Sequence, residues 1–318
     1  MSHPSTSASR IAFQYPAFRY YQSARFLAVA ASEMQSVAVG WQVYEITHQP
    51  LDLGLVGLAQ FLPGIILFLA GGHAADRLPR KRIIIACNTG FAICSSLLFM
   101  FTLFGMNSVR PIYFVLTLIG ILRAFNGPAS QAFLPLLVPE EHFPNAVAWG
   151  STFFQAATIF GPTLGGILYG WSGSAKIVYA VAVVVFLSTL GLFVAVRVRS
   201  PQRPRGTASM STVLAGFRFL WKTKLVLGAI SLDLFAVLLG GAVALLPVYA
   251  REILNIGPWG LGIMRSAPGV GAITMAIVIA HWPLRKTQER RCCGASQASA
   301  CSPSFSDCRA ISSCHSSR

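Results

Sequence analysis

The sequence predicts an all-α membrane protein, a bundle of about eight spanning helices, on three observations. The chain of 318 residues is 54% hydrophobic and only 11% charged, with mean hydropathy +0.61, whereas a soluble domain carries about 25% charged residues. Its apolar residues fall into runs of about 20 or more, the length that a helix needs to cross the hydrocarbon of a bilayer. Its cations lie mostly in the connections between those runs. The formal charge of +15 therefore sets topology, and no nucleic-acid partner is expected.

Taken in order, residues 1–20 begin polar and Ser-rich and form an N-terminal cytoplasmic segment. No short apolar core with a small-residue cleavage site follows, so no signal peptide is expected. Eight spans follow at roughly 22–46, 53–75, 82–105, 111–138, 146–171, 175–197, 224–250 and 258–282. Several carry internal breaks, at Pro63-Gly64, Gly127-Pro128, Gly161-Pro162 and Pro268-Gly269. Neighbouring helices can satisfy the backbone groups that such breaks free, and a helix can bend there. With the N-terminus inside, eighteen Lys and Arg residues face the cytoplasm, and only Arg110, Lys176 and Arg251 face the other side. That bias fixes the expected orientation.

Residues 21–197 thus form an N-terminal six-helix bundle, and 198–223 a cytoplasmic linker. The linker opens Pro/Arg-rich, then places Met210, Val213, Leu214, Phe217, Leu220 and Trp221 on one helical face suited to the membrane surface. Residues 224–286 make a partial second bundle of two helices. The segment 287–318 holds nine serines and five cysteines, Cys292, Cys293, Cys301, Cys308 and Cys314. Their spacing is irregular and lacks paired C-x-x-C units, so no metal site is expected, and a cytoplasmic location argues against disulfides. This tail reads as disordered or out of frame, with the membrane pattern stopping at a loop.

The turn between spans 2 and 3, Gly71 to Arg82, packs Asp76, Arg77, Arg80, Lys81 and Arg82 into seven residues. Such a cluster cannot lie in hydrocarbon and marks a basic turn at the membrane surface. Within the spans, four ionisable residues stand out: Glu33, Arg123, Asp233 and Arg265. Burying a charge in a membrane costs several kcal/mol, so such residues are functional candidates. A carboxylate held beside an arginine in a shielded cavity can exchange a proton, which makes Glu33, Arg123 and Asp233 the proton-coupling candidates, paired as Glu33–Arg123 or Asp233–Arg265. Gln35, Asn126 and Gln155 are the substrate-cavity candidates, because a few amides in an apolar cavity suit small amphipathic molecules. Trp41 and Tyr44 lie near a span end, where aromatics commonly anchor to the interface. No H-E-x-x-H, G-x-S-x-G, Walker loop or strand-linked G-x-G-x-x-G occurs, so no enzyme and no cofactor is expected.

Three patterns together resemble the major facilitator superfamily, in its proton-linked exporter branch. They are Gly72, Asp76, Arg77, Arg80 and Lys81 in the loop; Arg123 followed four residues later by Gly127; and Gly161-Pro162-x-x-Gly165-Gly166 in span 5. The stretches Ala38-Val39-Gly40-Trp41-Gln42-Val43-Tyr44 and Leu232-Asp233-Leu234-Phe235-Ala236 are similar to the branch containing enterobactin and macrolide exporters.

The resemblance implies a major-facilitator-type helical bundle, here about eight helices of an expected twelve, with substrate near the bilayer midplane and alternating access by rocking. It implies that Asp76 contacts the opposite bundle, supported by Arg77 and Arg80, that Arg123 serves proton coupling, and that Gly161, Pro162, Gly165 and Gly166 form a bundle contact. Pro79, Ala148 and Ala157 depart from the family pattern, and spans 9–12 are missing, as in a truncated or frameshifted chain. The expected activity is secondary active efflux of small amphipathic molecules, of drug or siderophore class, in exchange for protons across the bacterial inner membrane. The alternatives are a transport-inactive fragment of such a permease or a non-transport integral membrane protein. No oligomeric state is indicated.

Overall fold

The computed structural model describes residues 8–105, 108–196, 221, 227–228, 231 and 245–281, and among them no strand occurs. The expected linker helix, nearly all of the span 224–250 with Asp233, and the Ser/Cys-rich tail lie outside the described residues. The chain divides into two compact units, Met1–Val270 and Gly271–Arg318. Of the second, Gly271–His281 is described, the last turns of a helix.

Seven long helices are described: α1 (Pro16–Thr47), α2 (Pro50–Arg77), α3 (Arg80–Leu103), α4 (Arg110–Phe133), α5 (Phe143–Ser172), α6 (Ala175–Ala195) and α7 (Pro258–His281). They take up the expected spans 1 to 6 and 8. Proline stands in the first turn of α1, α2, α4 and α5, where its missing N–H leaves no bond unmade. Left-handed residues stop α1 at His48 and α5 at Gly173. Ser174 then starts α6 by accepting from the Lys176 N–H. Pro63, Pro128, Pro162 and Pro268 sit inside continuous helices.

Most of the main packing pairs join helices that are not neighbours in sequence. α2 packs on α4, α4 on α3, α3 on α6, α6 on α1, and α1 on α5. Glycines decide the closest of these contacts. A Cβ on Gly161 would lie 2.7 Å from the Ala30 carbonyl oxygen, and one on Gly165 would lie 2.7 Å from that of Met34. Two glycines four residues apart on α5 thus face two positions four apart on α1, which lets the backbones meet.

Among the described residues four helices are long and apolar enough to cross a membrane by length and composition, spanning 50–77, 80–103, 110–136 and 175–195. α1 is less apolar for a structural reason. α1 lies between α5 and α6 and turns Gln22, Gln35, Trp41 and Tyr44 into protein rather than lipid, so the expectation that Trp41 and Tyr44 anchor at an interface gives way to a core position. α2 is the reverse case: it buries only Leu53, Gly71 and Ala75 and leaves Phe61, Ile65, Ile66 and Phe68 exposed.

Candidate binding cavity

Two cavities meet near the middle of the bundle. The larger, about 940 Å³, lies between α1, α2, α4 and α7, with apolar walls from Val56, Phe61, Ile65 and Phe68. The smaller, about 340 Å³, lies between α1, α3, α4, α5 and α6, and contains Glu33, Asn88 and Asn126. Arg123, Gly127 and Gln131 line both. Their spacing of four residues puts them on one face of α4, which forms the shared wall. A Cβ at Gly127 would meet nothing within 4 Å, so glycine here leaves the passage between the cavities wide.

Arg123 keeps exposed surface although it stands well inside the span, because it lines both cavities. Its Nη1 donates to Gln60 Oε1 at 3.0 Å and its Nη2 to Ser32 Oγ at 2.8 Å. Arg265 reaches the same region from α7, and its Nη1 donates to Ser36 Oγ at 2.9 Å. Glu33, half-buried between these two serines on α1, interacts electrostatically with both arginines. The sequence pairs Glu33 with Arg123 and Arg265 with Asp233. In the fold Glu33 serves Arg123 and Arg265 together, and Asp233 is outside the described residues. Tight packing of α7 on α5 makes this possible: Gly262 lies against Gly166 and the Pro162 carbonyl, and Arg265 follows one turn later.

The amide candidates separate. Asn126 lines the smaller cavity, and its Oδ1 accepts from Ser130 Oγ at 3.5 Å. Gln35 is 5% exposed and accepts from Ser95 Oγ at 2.6 Å, a bond that ties α1 to α3 away from both linings. Gln155 is half-buried on α5, outside the linings of both cavities. Ser32, Ser36, Asn88 and Gln131 escaped the reading of the sequence. The signal for the serines was their placement either side of Glu33 with a spacing of four, which is faint because serine is common in such helices.

In the basic turn, Asp76 and Arg77 are exposed. Arg80 donates from Nη1 to the Ala132 carbonyl at 2.7 Å, and Lys81 Nζ donates to Val194 and Val196 carbonyls at 2.9 and 2.7 Å. These cations therefore close the ends of α4 and α6, where helix carbonyls lack partners. The steric demand for glycine falls on Gly71, whose Cβ would strike the Ala124 backbone, whereas one on Gly72 would meet nothing within 4 Å. At the other end of α1, a third cavity of about 540 Å³ is polar, with Gln42, Glu45, Thr102, Tyr169 and Lys176. There Tyr169 Oη donates to Glu45 at 2.8 Å and Tyr179 Oη to Gln42 at 2.7 Å.

Long apolar helices packed around charged side chains mark a multi-pass membrane protein. The family model for transmembrane secretion effectors matches residues 7–304, and the chain belongs to that family, within the major facilitator superfamily. The enterobactin exporter EntS of Salmonella choleraesuis (strain SC-B67) is 29% identical over 271 residues, covering 83% of this chain and 63% of its own. EntS of Citrobacter koseri is 29% identical over 273 residues with the same coverages. The chain thus spans less than two thirds of the length of these relatives. A solved bacterial homolog to the human lysosomal transporter Spinster, inward-facing and unoccupied, shares the fold with TM-score 0.53 and 19% identity, over 83% of this chain and 64% of its own.

Proposed function

We propose that this protein is a secondary transporter that exports small amphipathic molecules, of drug or siderophore class, in exchange for protons. The observation that carries the reading is the junction of the two cavities at Arg123, with Glu33 beside it. An apolar chamber of about 940 Å³ is of the size that holds a small molecule. A carboxylate facing two guanidiniums in the adjoining space has two electrostatic states that a proton can interconvert. The named activity of the EntS relatives supports export and makes a siderophore a first compound to test.

In this reading Glu33 and Arg123 carry proton coupling, Asp233 adds to it, and Asn126 contacts substrate from the smaller cavity. The N-terminus is cytoplasmic, which the Lys and Arg distribution supports. The turn Gly72–Lys81 acts as a conformational latch through Asp76, while Arg80 and Lys81 hold the helix ends that frame it. The run Gly161-Pro162-x-x-Gly165-Gly166 is the surface on which α5 moves against α1 and α7. The test is accumulation of dyes and enterobactin inside everted membrane vesicles carrying the full chain, whose cytoplasmic face is turned outward. Export should follow an imposed proton gradient, and Glu33→Gln should abolish that dependence. Gradient-independent export, or an unchanged response in Glu33→Gln, would sink the coupling assignment.

A further inference from the structure

The charge inventory of the two central cavities is unbalanced. Among the described residues that line them, the ionisable side chains are Arg25, Arg123, Arg265 and Glu33, three guanidiniums against one carboxylate. Their placement is ordered by α1. Ser32 accepts from Arg123 and Ser36 accepts from Arg265. One helical turn separates the two serines, so the bonded guanidiniums are fixed at levels about 6 Å apart along the axis. Arg25 stands on α1 itself, about 10 Å below the first of these levels.

Among the described residues neither upper arginine finds partners for all of its donors. A guanidinium has five N–H donors in a planar fork; two of Arg123 and one of Arg265 are bonded to described residues. None of those bonds goes to a carboxylate. Both arginines line the larger cavity, beside apolar walls that include Phe61, Ile65 and Phe68. Arginine in that setting binds planar oxyanions in preference to other groups, because the fork matches two oxygens at once.

We infer that the α1 serine ladder with Arg123 and Arg265 is an oxyanion clamp, and that the ligand of the large cavity is an amphipathic anion. Its carboxylate, sulfonate or catecholate oxygens bridge the two guanidiniums, and its aromatic or aliphatic body lies against α2. The inference rests on the transporter reading and adds the charge of its substrate. It assigns Arg265 to ligand binding, a role distinct from pairing with a carboxylate.

The experiment uses the purified full chain in lipid nanodiscs and three probes with one fluorophore: dansylglycine, an anion; dansylamide, neutral; and dansylcadaverine, a cation. Saturable fluorescence enhancement gives each Kd. Dansylglycine should bind at least about tenfold more tightly than dansylamide, the scale of one charge-assisted hydrogen bond, and dansylcadaverine most weakly. Arg265→Gln should erase the anion's advantage and leave dansylamide within about twofold of its starting Kd, which also reports that the cavity is intact. Ser36→Ala should reduce the advantage in part. Equal binding of anion and neutral probe, or preference for the cation, overturns the clamp and leaves the transporter reading standing. Binding of none of the three would remove the cavity reading as well.

Discussion

Gly161→Ala adds one methyl group where α5 meets α1. The new Cβ would lie 2.7 Å from the Ala30 carbonyl oxygen and 2.7 Å from Glu33 Cβ. One neighbour is backbone and the other is bonded directly to it, so neither can rotate away. Ordinary contact begins near 3.4 Å, so the two helices must part locally by about 0.7 Å. A radial gap of that size forfeits roughly a quarter to a half of each dispersion well along the seam. Overpacking of this kind costs about 1–3 kcal/mol, and the strain moves Glu33 relative to Arg123.

The control is Gly54→Ala on α2, where a Cβ would meet nothing within 4 Å. Replacing a helical glycine by alanine otherwise stabilises by about 0.5–1 kcal/mol. At roughly 2–4 °C per kcal/mol for a unit of this size, a cost of about 1–3 kcal/mol means that Gly161→Ala should lower the melting temperature in detergent by about 2–12 °C. Gly54→Ala should leave it equal or slightly higher. Size-exclusion of heated samples with fluorescence detection gives both values. If Gly161→Ala melts with Gly54→Ala, α1 and α5 do not approach through this glycine, and the placement of Glu33 loses its support.

Two further outcomes follow from the turn and the amides. Lys81→Met removes two charge-assisted bonds to the Val194 and Val196 carbonyls; partly solvated, they should together cost about 1 kcal/mol. Lys81→Arg should restore part of it, and an unchanged melting temperature in Lys81→Met would contradict the cap. Gln35→Ala should destabilise by about 1 kcal/mol, the worth of the lost α1–α3 hydrogen bond, since the Ser95 hydroxyl still has the Phe91 carbonyl to donate to. Asn126→Ala should leave melting nearly unchanged and alter probe binding instead; the opposite pattern would reverse their assignment.

Much of the architecture was legible because a bilayer leaves few options. A backbone in hydrocarbon must bond to itself, so runs of about 20 apolar residues are helices, and α1 to α6 and α7 lie where the runs are. The turn at Gly71–Arg82 could be read for the same reason, since four cations and a carboxylate have no place in lipid. Glu33, Arg123 and Arg265 announced themselves as charges inside spans.

What they do with one another was decided by tertiary packing. Glycines that no periodicity distinguishes set which helices touch: Gly161 and Gly165 bring α5 onto α1, while Gly262 against Gly166 brings α7 in beside them. Only that arrangement delivers Arg265 to Ser36 and makes one carboxylate answer to two arginines. Gln35 and Asn126 look alike along the chain, yet one is buried against Ser95 and the other lines a cavity. Along a helix, residue type fixes cost of burial; the neighbour that removes the cost comes from elsewhere in the chain. For this protein the sequence determined the membrane, the helices and the charges within them, and the close backbone contacts determined which charges share a cavity.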